Sequence, residues 1–99
     1  MANDNPKLTH DDIDVQLAEI PEWDIDAGGA LKREFKFVDF TRAFGFMASV
    51  ATVAQAMDHH PDWSNIYNRV TVRLMTHDAG GITQKDFDLA KKMEELAGQ

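Results

Sequence analysis

The stretch Leu31-Lys32-Arg33-Glu34-Phe35-Lys36-Phe37-Val38-Asp39-Phe40 changes its period in the middle. Up to Val38 it alternates. Leu31, Arg33, Phe35 and Phe37 share one face and Lys32, Glu34 and Lys36 the other, as in a strand with one solvated side. From Asp39, a good helix N-cap, apolar residues recur at helical spacing through Phe40, Ala43, Phe44, Met47, Val50, Ala51 and Ala54. A strand therefore hands over to a long helix, and this set is expected to face the core. A second set, Phe46, Val50, Val53 and Met57, widens the apolar surface and is expected to meet a partner subunit.

Upstream of that stretch, Thr9 can cap a short helix reaching about Ile20, with Asp12 in its first turn and Leu8 packing on Ile13. Pro21 stops it. Trp23-Asp24-Ile25 alternates and runs into Ala27-Gly28-Gly29-Ala30, whose glycines accept the positive φ of a tight turn, so Leu31 to Val38 is the return strand of a hairpin. Downstream, Pro61 ends the long helix close to His59-His60. Strands are expected at Trp63 to Ile66 and Tyr67 to Met75, the latter with Val70, Val72 and Leu74 on one face and Thr71 and Arg73 on the other. Ala79-Gly80-Gly81 breaks the chain before a last helix to about Ala97, where Thr83 and Asp86 repeat the capping pattern. The order α-β-β-α-β-β-α predicts an α+β fold, a four-stranded antiparallel sheet with three helices packed against it. Residues 1–99 are expected to make one domain, with residues 1–7 expected to be flexible.

Composition narrows the function. A net charge of −7 over 99 residues repels phosphates and argues against direct nucleic-acid binding. The absence of cysteine removes disulfides, thiolate metal sites and thiol nucleophiles, and suits a reducing, cytoplasmic setting. No export signal is recognisable near Met1 to Lys7, and the apolar run Phe44 to Met57 is too short to span a bilayer easily, so a soluble protein is expected. A chain of this size buries a modest share of its surface, which favours association into an oligomer.

Chemistry is then left to histidines, carboxylates and hydroxyls. Three of the four histidines stand at element ends: His59 and His60 after the long helix and His77 after the fourth strand. Imidazoles titrate near neutral pH, so such a group can give and take protons. Taken alone, His59-His60-Pro61 is better explained by imidazoles at the negative end of a helix dipole, worth about 0.3–1 kcal/mol. A metal held by His59, His60 and His77 with Asp58 or Asp78 is a further alternative, weakened because adjacent side chains rarely aim at one ion. Trp63 and Tyr67 could stack on a flat heterocycle or simply fill core. Asp86 could orient a histidine or serve only its helix cap. The acids Asp11, Asp12, Asp14, Glu94 and Glu95 read as solvated helix faces.

The spaced set Asp58-His59-His60-Pro61-Asp62-Trp63, Tyr67, Thr76-His77-Asp78, Gly81-Ile82-Thr83 and Asp86 closely resembles the pterin-4a-carbinolamine dehydratase family, and the likeness runs from Leu8 to the last helix. The resemblance implies a hydro-lyase that removes water from 4a-hydroxytetrahydrobiopterin or a related pterin, serving pterin recycling for aromatic amino acid hydroxylation. It implies a pocket walled by Asp58-His59-His60 and Met75-Thr76-His77-Asp78, with His59 and His77 as the acid-base pair, His60 orienting the substrate, and Gln55, Pro61, Trp63, Tyr67 and Asp86 in support. No metal or redox cofactor is implied, the pterin being the substrate. Dimers joined through the sheet edge, tetramers paired through the long helix, and an aromatic amino acid hydroxylase as a partner are implied in the same way. Where the family commonly has a glutamate four residues before the first histidine, this chain has Gln55, expected to share a helix face with His59. The alternative from another class is a non-catalytic binding, assembly or transcriptional coactivator protein of the same fold.

Overall fold

The computed structural model describes residues 6–98, so most of the segment expected to be flexible, residues 1–5, lies outside the described residues. Helix α1, His10–Leu17, begins with Thr9 and Asp12 capping each other's backbone as the sequence suggests. It ends a few residues short of Ile20, whose amide turns back onto Leu17 and whose side chain enters the core. Strands β1, Asp24–Ile25, and β2, Leu31–Lys36, form the expected hairpin, with Gly29 at φ 87°. Helix α2, Phe40–Met57, starts on Asp39, whose side chain accepts from the Arg42 amide at 2.9 Å. Strands β3, Asp62–Ile66, and β4, Arg69–Leu74, follow, then a short 3-10 turn at His77–Ala79 and helix α3, Gln84–Gly98.

The sheet is fully antiparallel in the order β1-β2-β4-β3, with Leu31 opposite Leu74, Phe35 opposite Val70 and Trp63 opposite Val72. One face is buried and apolar: Leu31, Phe35, Val70, Val72 and Leu74 pack with Trp23, α2 and α3. Each such large side chain contributes roughly 1.5–3 kcal/mol by leaving water. The other face carries Lys32, Glu34, Lys36, Arg69, Thr71 and Arg73, so the alternation read in β2 and β4 holds in the fold.

Two expectations change. In α2 it is Ala43, Phe46, Val50 and Ala54 that are buried, with Met47, Val53 and Met57 packed beside them, while Phe40 and Phe44 remain 50% and 58% exposed and Ala51 faces outward. The face assigned to a partner is thus the core face. Apolar residues surround most of α2, so periodicity alone offers two stripes; alanines at 43 and 54 let the backbone approach the sheet beneath Phe46 and Val50. Glu94 is not simply solvated either. It accepts from Trp23 Nε1 at 2.8 Å and pairs with Arg33, whose guanidinium lies 4.1 Å from the Phe35 ring centre. Arg33 shares the core face of β2 and so needs an acceptor there.

Candidate active site

The end of α2 determines where the histidines point. Asp58 takes a left-handed conformation, φ 53° and ψ 42°, which a short polar side chain tolerates better than most. The reversal lets the His59 amide return to Ala54 O at 3.0 Å, closing the helix, and Pro61 then releases the chain into β3. Consecutive side chains consequently part company. His59 turns inward and is 8% exposed, whereas His60 stays exposed.

Inside, His59 Nε2 lies 2.5 Å from Asp86 Oδ1. Asp86 is fully buried in the first turn of α3, and its other oxygen accepts from the Thr76 hydroxyl and the Thr83 amide, both at 2.9 Å. Since the Thr76 proton goes to Asp86, the Thr83 hydroxyl donates to Thr76 Oγ1, 2.8 Å away. Thr83 therefore spends its hydroxyl on Thr76, and Asp86 both caps the helix and orients His59. The bond fixes Nε2 of His59 as its donor and leaves Nδ1 as the nitrogen able to exchange a proton.

Outside, His60 and His77 line one small cleft of about 40 Å³ together with Ala30, Asp62, Arg73 and Met75. That space is enough for roughly two to four water molecules. Gln55 Oε1 is 3.1 Å from His60 Nε2. The amide thus meets His60, not His59 as its helix position suggested, because the left-handed residue between them swings the chain. A larger concavity of about 740 Å³, between the end of β2, α2 and α3, is lined by Lys36, Val38, Arg42 and Leu96 among others, and contains no histidine or carboxylate. Of these two concavities, only the smaller cleft brings imidazoles together.

The remaining expected site residues separate. Met75 lines the cleft, Thr76 serves the buried network, and Asp78 is exposed in the 3-10 turn. Trp63 packs against the core, and Tyr67, 62% exposed at φ 51°, occupies the β3–β4 turn at the opposite end of β3 from Asp62. Among the described residues no three His, Cys, Asp or Glu side chains converge as metal ligands. None of the described helices is long and apolar enough to cross a membrane.

The family model described as Pterin 4 alpha carbinolamine dehydratase matches residues 6–96. The chain belongs to this family. A protein of Rhodospirillum rubrum, provisionally named a pterin-4-alpha-carbinolamine dehydratase, is 59% identical over 87 residues, covering 87% of this chain and 91% of its own length. One from Solibacter usitatus, named in the same way, is 54% identical over 91 residues, or 92% and 95% of the two chains. The crystal structure of a Brucella melitensis protein described as a transcriptional coactivator/pterin dehydratase matches with a TM-score of 0.90 at 45% identity, covering 93% of this chain and 99% of that one. The matched span contains every element that builds the cleft of this carbinolamine dehydratase relative.

Sequence reasoning missed Asp26, Ala30, Asp62 and Arg73 as site residues. Arg73 Nε contacts Asp26 Oδ2 at 2.5 Å, Nη2 contacts Asp26 Oδ1 at 3.4 Å, and Nη1 contacts Asp62 Oδ2 at 3.2 Å. Bonding to the Arg73 guanidinium, with the Ala30 and Gly28 amides adding to it, holds the Asp26 carboxyl well below the usual carboxylate range. Asp26 in turn raises Arg73 above its ordinary value. The cue in the sequence was Asp26 two residues before Gly28, a side chain placed to accept from the turn's own amides. Its pairing with Arg73 depends on the strand order and leaves no local mark.

Proposed function

We propose that this chain dehydrates a 4a-hydroxytetrahydropterin to the quinonoid dihydropterin and water by histidine acid-base catalysis. The observation that carries the reading is the arrangement of His60 and His77 on one cleft, with the residue before His60, His59, buried against Asp86, in a member of this family. The reaction breaks the C4a–O bond, places one proton on the departing hydroxyl and removes one from N5, so one group must give a proton and another take one. It is redox-neutral, and neither a metal nor a redox cofactor is required; the pterin is the substrate.

In this reading His59, backed by the Asp86 carboxylate and left with Nδ1 as its free nitrogen, exchanges protons together with His77, although it does not itself line the cleft. His60, held by the neutral Gln55 amide, positions the heterocycle across the mouth of the cleft. The enzyme would act in the cytoplasm, where an aromatic amino acid hydroxylase could supply its substrate. It would work as a dimer through the sheet edge or as a tetramer through α2, whose exposed Phe40 and Phe44 rings lie 5.8 Å apart.

The decisive experiment is the rate of 4a-hydroxytetrahydropterin dehydration by the purified protein beside a His59→Ala/His77→Ala double variant. The expected result is an acceleration that falls by about 10²- to 10⁴-fold in the variant. His60→Ala should mainly raise KM. Folded wild type matching the uncatalysed rate would end the dehydratase reading. The exposed Phe40–Phe44 surface favours a second reading, a non-catalytic assembly or coactivator protein. Under that reading Phe44→Glu would abolish partner capture, and histidine substitutions would leave it intact.

A further inference from the structure

Resting on the dehydratase reading, we propose that the Asp26–Arg73–Asp62 cluster is a specificity device, admitting pterins whose C6 substituent is uncharged and disfavouring those with an anionic one. The connectivity of the substrate brings this substituent to the cluster. C6 is bonded to N5, which is bonded to C4a, so when C4a stands before His60 and His77 the carbon that bears the substituent is only two bonds away. Arg73 and Asp62 line the same small cleft as those two imidazoles.

Arg73 is the one lysine or arginine among the cleft-lining residues, and its charge is already committed. Asp26 engages it through both carboxylate oxygens and Asp62 through a third contact. A site selecting a phosphate or carboxylate tail would present a guanidinium with its fork free for two parallel bonds to the anion. Here two carboxylates surround one guanidinium, and Lys32, opposite Arg73 in β2, is matched by Asp24 opposite it in β1, so one negative charge remains in excess; the Asp62 side chain is 75% exposed at the edge strand. The chain's overall charge of −7 adds to that field. A Cβ on Gly28 would stand 2.9 Å from Arg73 Nη2, so a larger residue there would push the end of the arginine side chain aside. What the cluster still offers is hydrogen bonding. One N–H on each terminal nitrogen of Arg73, and the second oxygen of Asp62, match the alternating donors and acceptors of a hydroxylated alkyl chain.

The test compares kcat/KM for two 4a-hydroxytetrahydropterins, one with a dihydroxypropyl group on C6 and one with the phosphate ester of that group, at low and high ionic strength. Wild type should favour the uncharged substrate several-fold at low salt, with the preference shrinking as salt rises. Asp62→Asn should narrow the ratio and Arg73→Gln should widen it. A merely structural role would move neither the ratio nor its salt dependence. Asp62 is exposed, so Asp62→Asn is expected to fold, and thermal melting checks both variants. If wild type turns over both substrates equally, or Asp62→Asn leaves the ratio unchanged, the specificity assignment is overturned while the dehydratase reading stands. If neither substrate is accelerated, both readings fall together.

Discussion

Two carboxylates anchor this site, in opposite surroundings. Asp86 is sealed inside and holds His59, Thr76 and the start of α3 together; Asp26 sits in a surface turn and ties the β1–β2 hairpin to β4 through Arg73, which reaches on to Asp62 in β3. Both join segments distant in sequence. The buried carboxylate has no water to replace a lost partner, whereas the surface one has, so the same substitution should damage the two regions unequally.

The largest effect is expected at Asp86. Asp86→Ala leaves the His59 ring, the Thr76 hydroxyl and the Thr83 amide without their shared acceptor, and breaking a buried pair from one side costs about 3–5 kcal/mol. Urea unfolding should show a midpoint lowered accordingly, and a loss below about 1 kcal/mol would mean that water reaches this network as freely as it reaches the rim. Thr76→Val probes a single strand of the same network. It removes one bond to a charged acceptor and leaves the Thr83 hydroxyl without its partner, for a cost of about 1.5–3 kcal/mol by the same measurement.

The contrast between the regions also explains which of them could be read in the sequence. Thr83 and Asp86 are three residues apart in front of a helix, and His59-His60-Pro61 closes one, so local spacing marked the cap and the helix end, but it left the His59–Asp86 contact open and gave no sign that His59 is buried. The alternation of β2 and β4 was equally plain, because a sheet covered on one face prints its burial onto every second residue. The rim left no such print. Arg73 lies opposite both Lys32 and Asp62 only because β4 is placed between β2 and β3, and an arginine on a solvated strand face looks the same whether or not a carboxylate awaits it. The core face of α2 was misread for a related reason: Phe40 and Phe44 fit the helical period as well as Phe46 and Val50 do, and only the position of the sheet decides between them. Likewise, a single left-handed residue, Asp58, moved the partner of Gln55 from one histidine to the next.

The rim has a signature in pH. A carboxylate whose folded pKa is depressed stabilises the fold above its unfolded value, about 3.9, and loses that contribution as pH falls through the lower folded value. Asp26 is in this position because of Arg73. Wild type should therefore melt at a higher temperature than Asp26→Asn at neutral pH, and the two curves should draw together as the solution is acidified below about pH 4. Added salt should shrink the neutral-pH difference, since Arg73 is 38% exposed and its attraction is screened. Curves that stay parallel down to strong acid would mean that Asp26 acts through its bonds to the Gly28 and Ala30 amides, which an asparagine oxygen can also accept.

The smallest effect is expected at Gln55, and it bears on function more than on stability. Its amide oxygen accepts from His60 on the exposed side of the site, so Gln55→Glu exchanges a neutral acceptor for a charged one where water competes. Exposed pairs of this kind are worth about 0.2–1 kcal/mol. Converted at 1.36 kcal/mol per pH unit, that would move a limb controlled by His60 upward by less than about one unit, because a carboxylate favours the protonated ring beside it. Comparing the profiles of wild type and Gln55→Glu measures this directly. Coincident profiles would mean that the protonation of His60 does not limit the rate, which is expected if His60 only positions the heterocycle; a displaced limb would draw His60 into the proton transfers assigned here to His59 and His77.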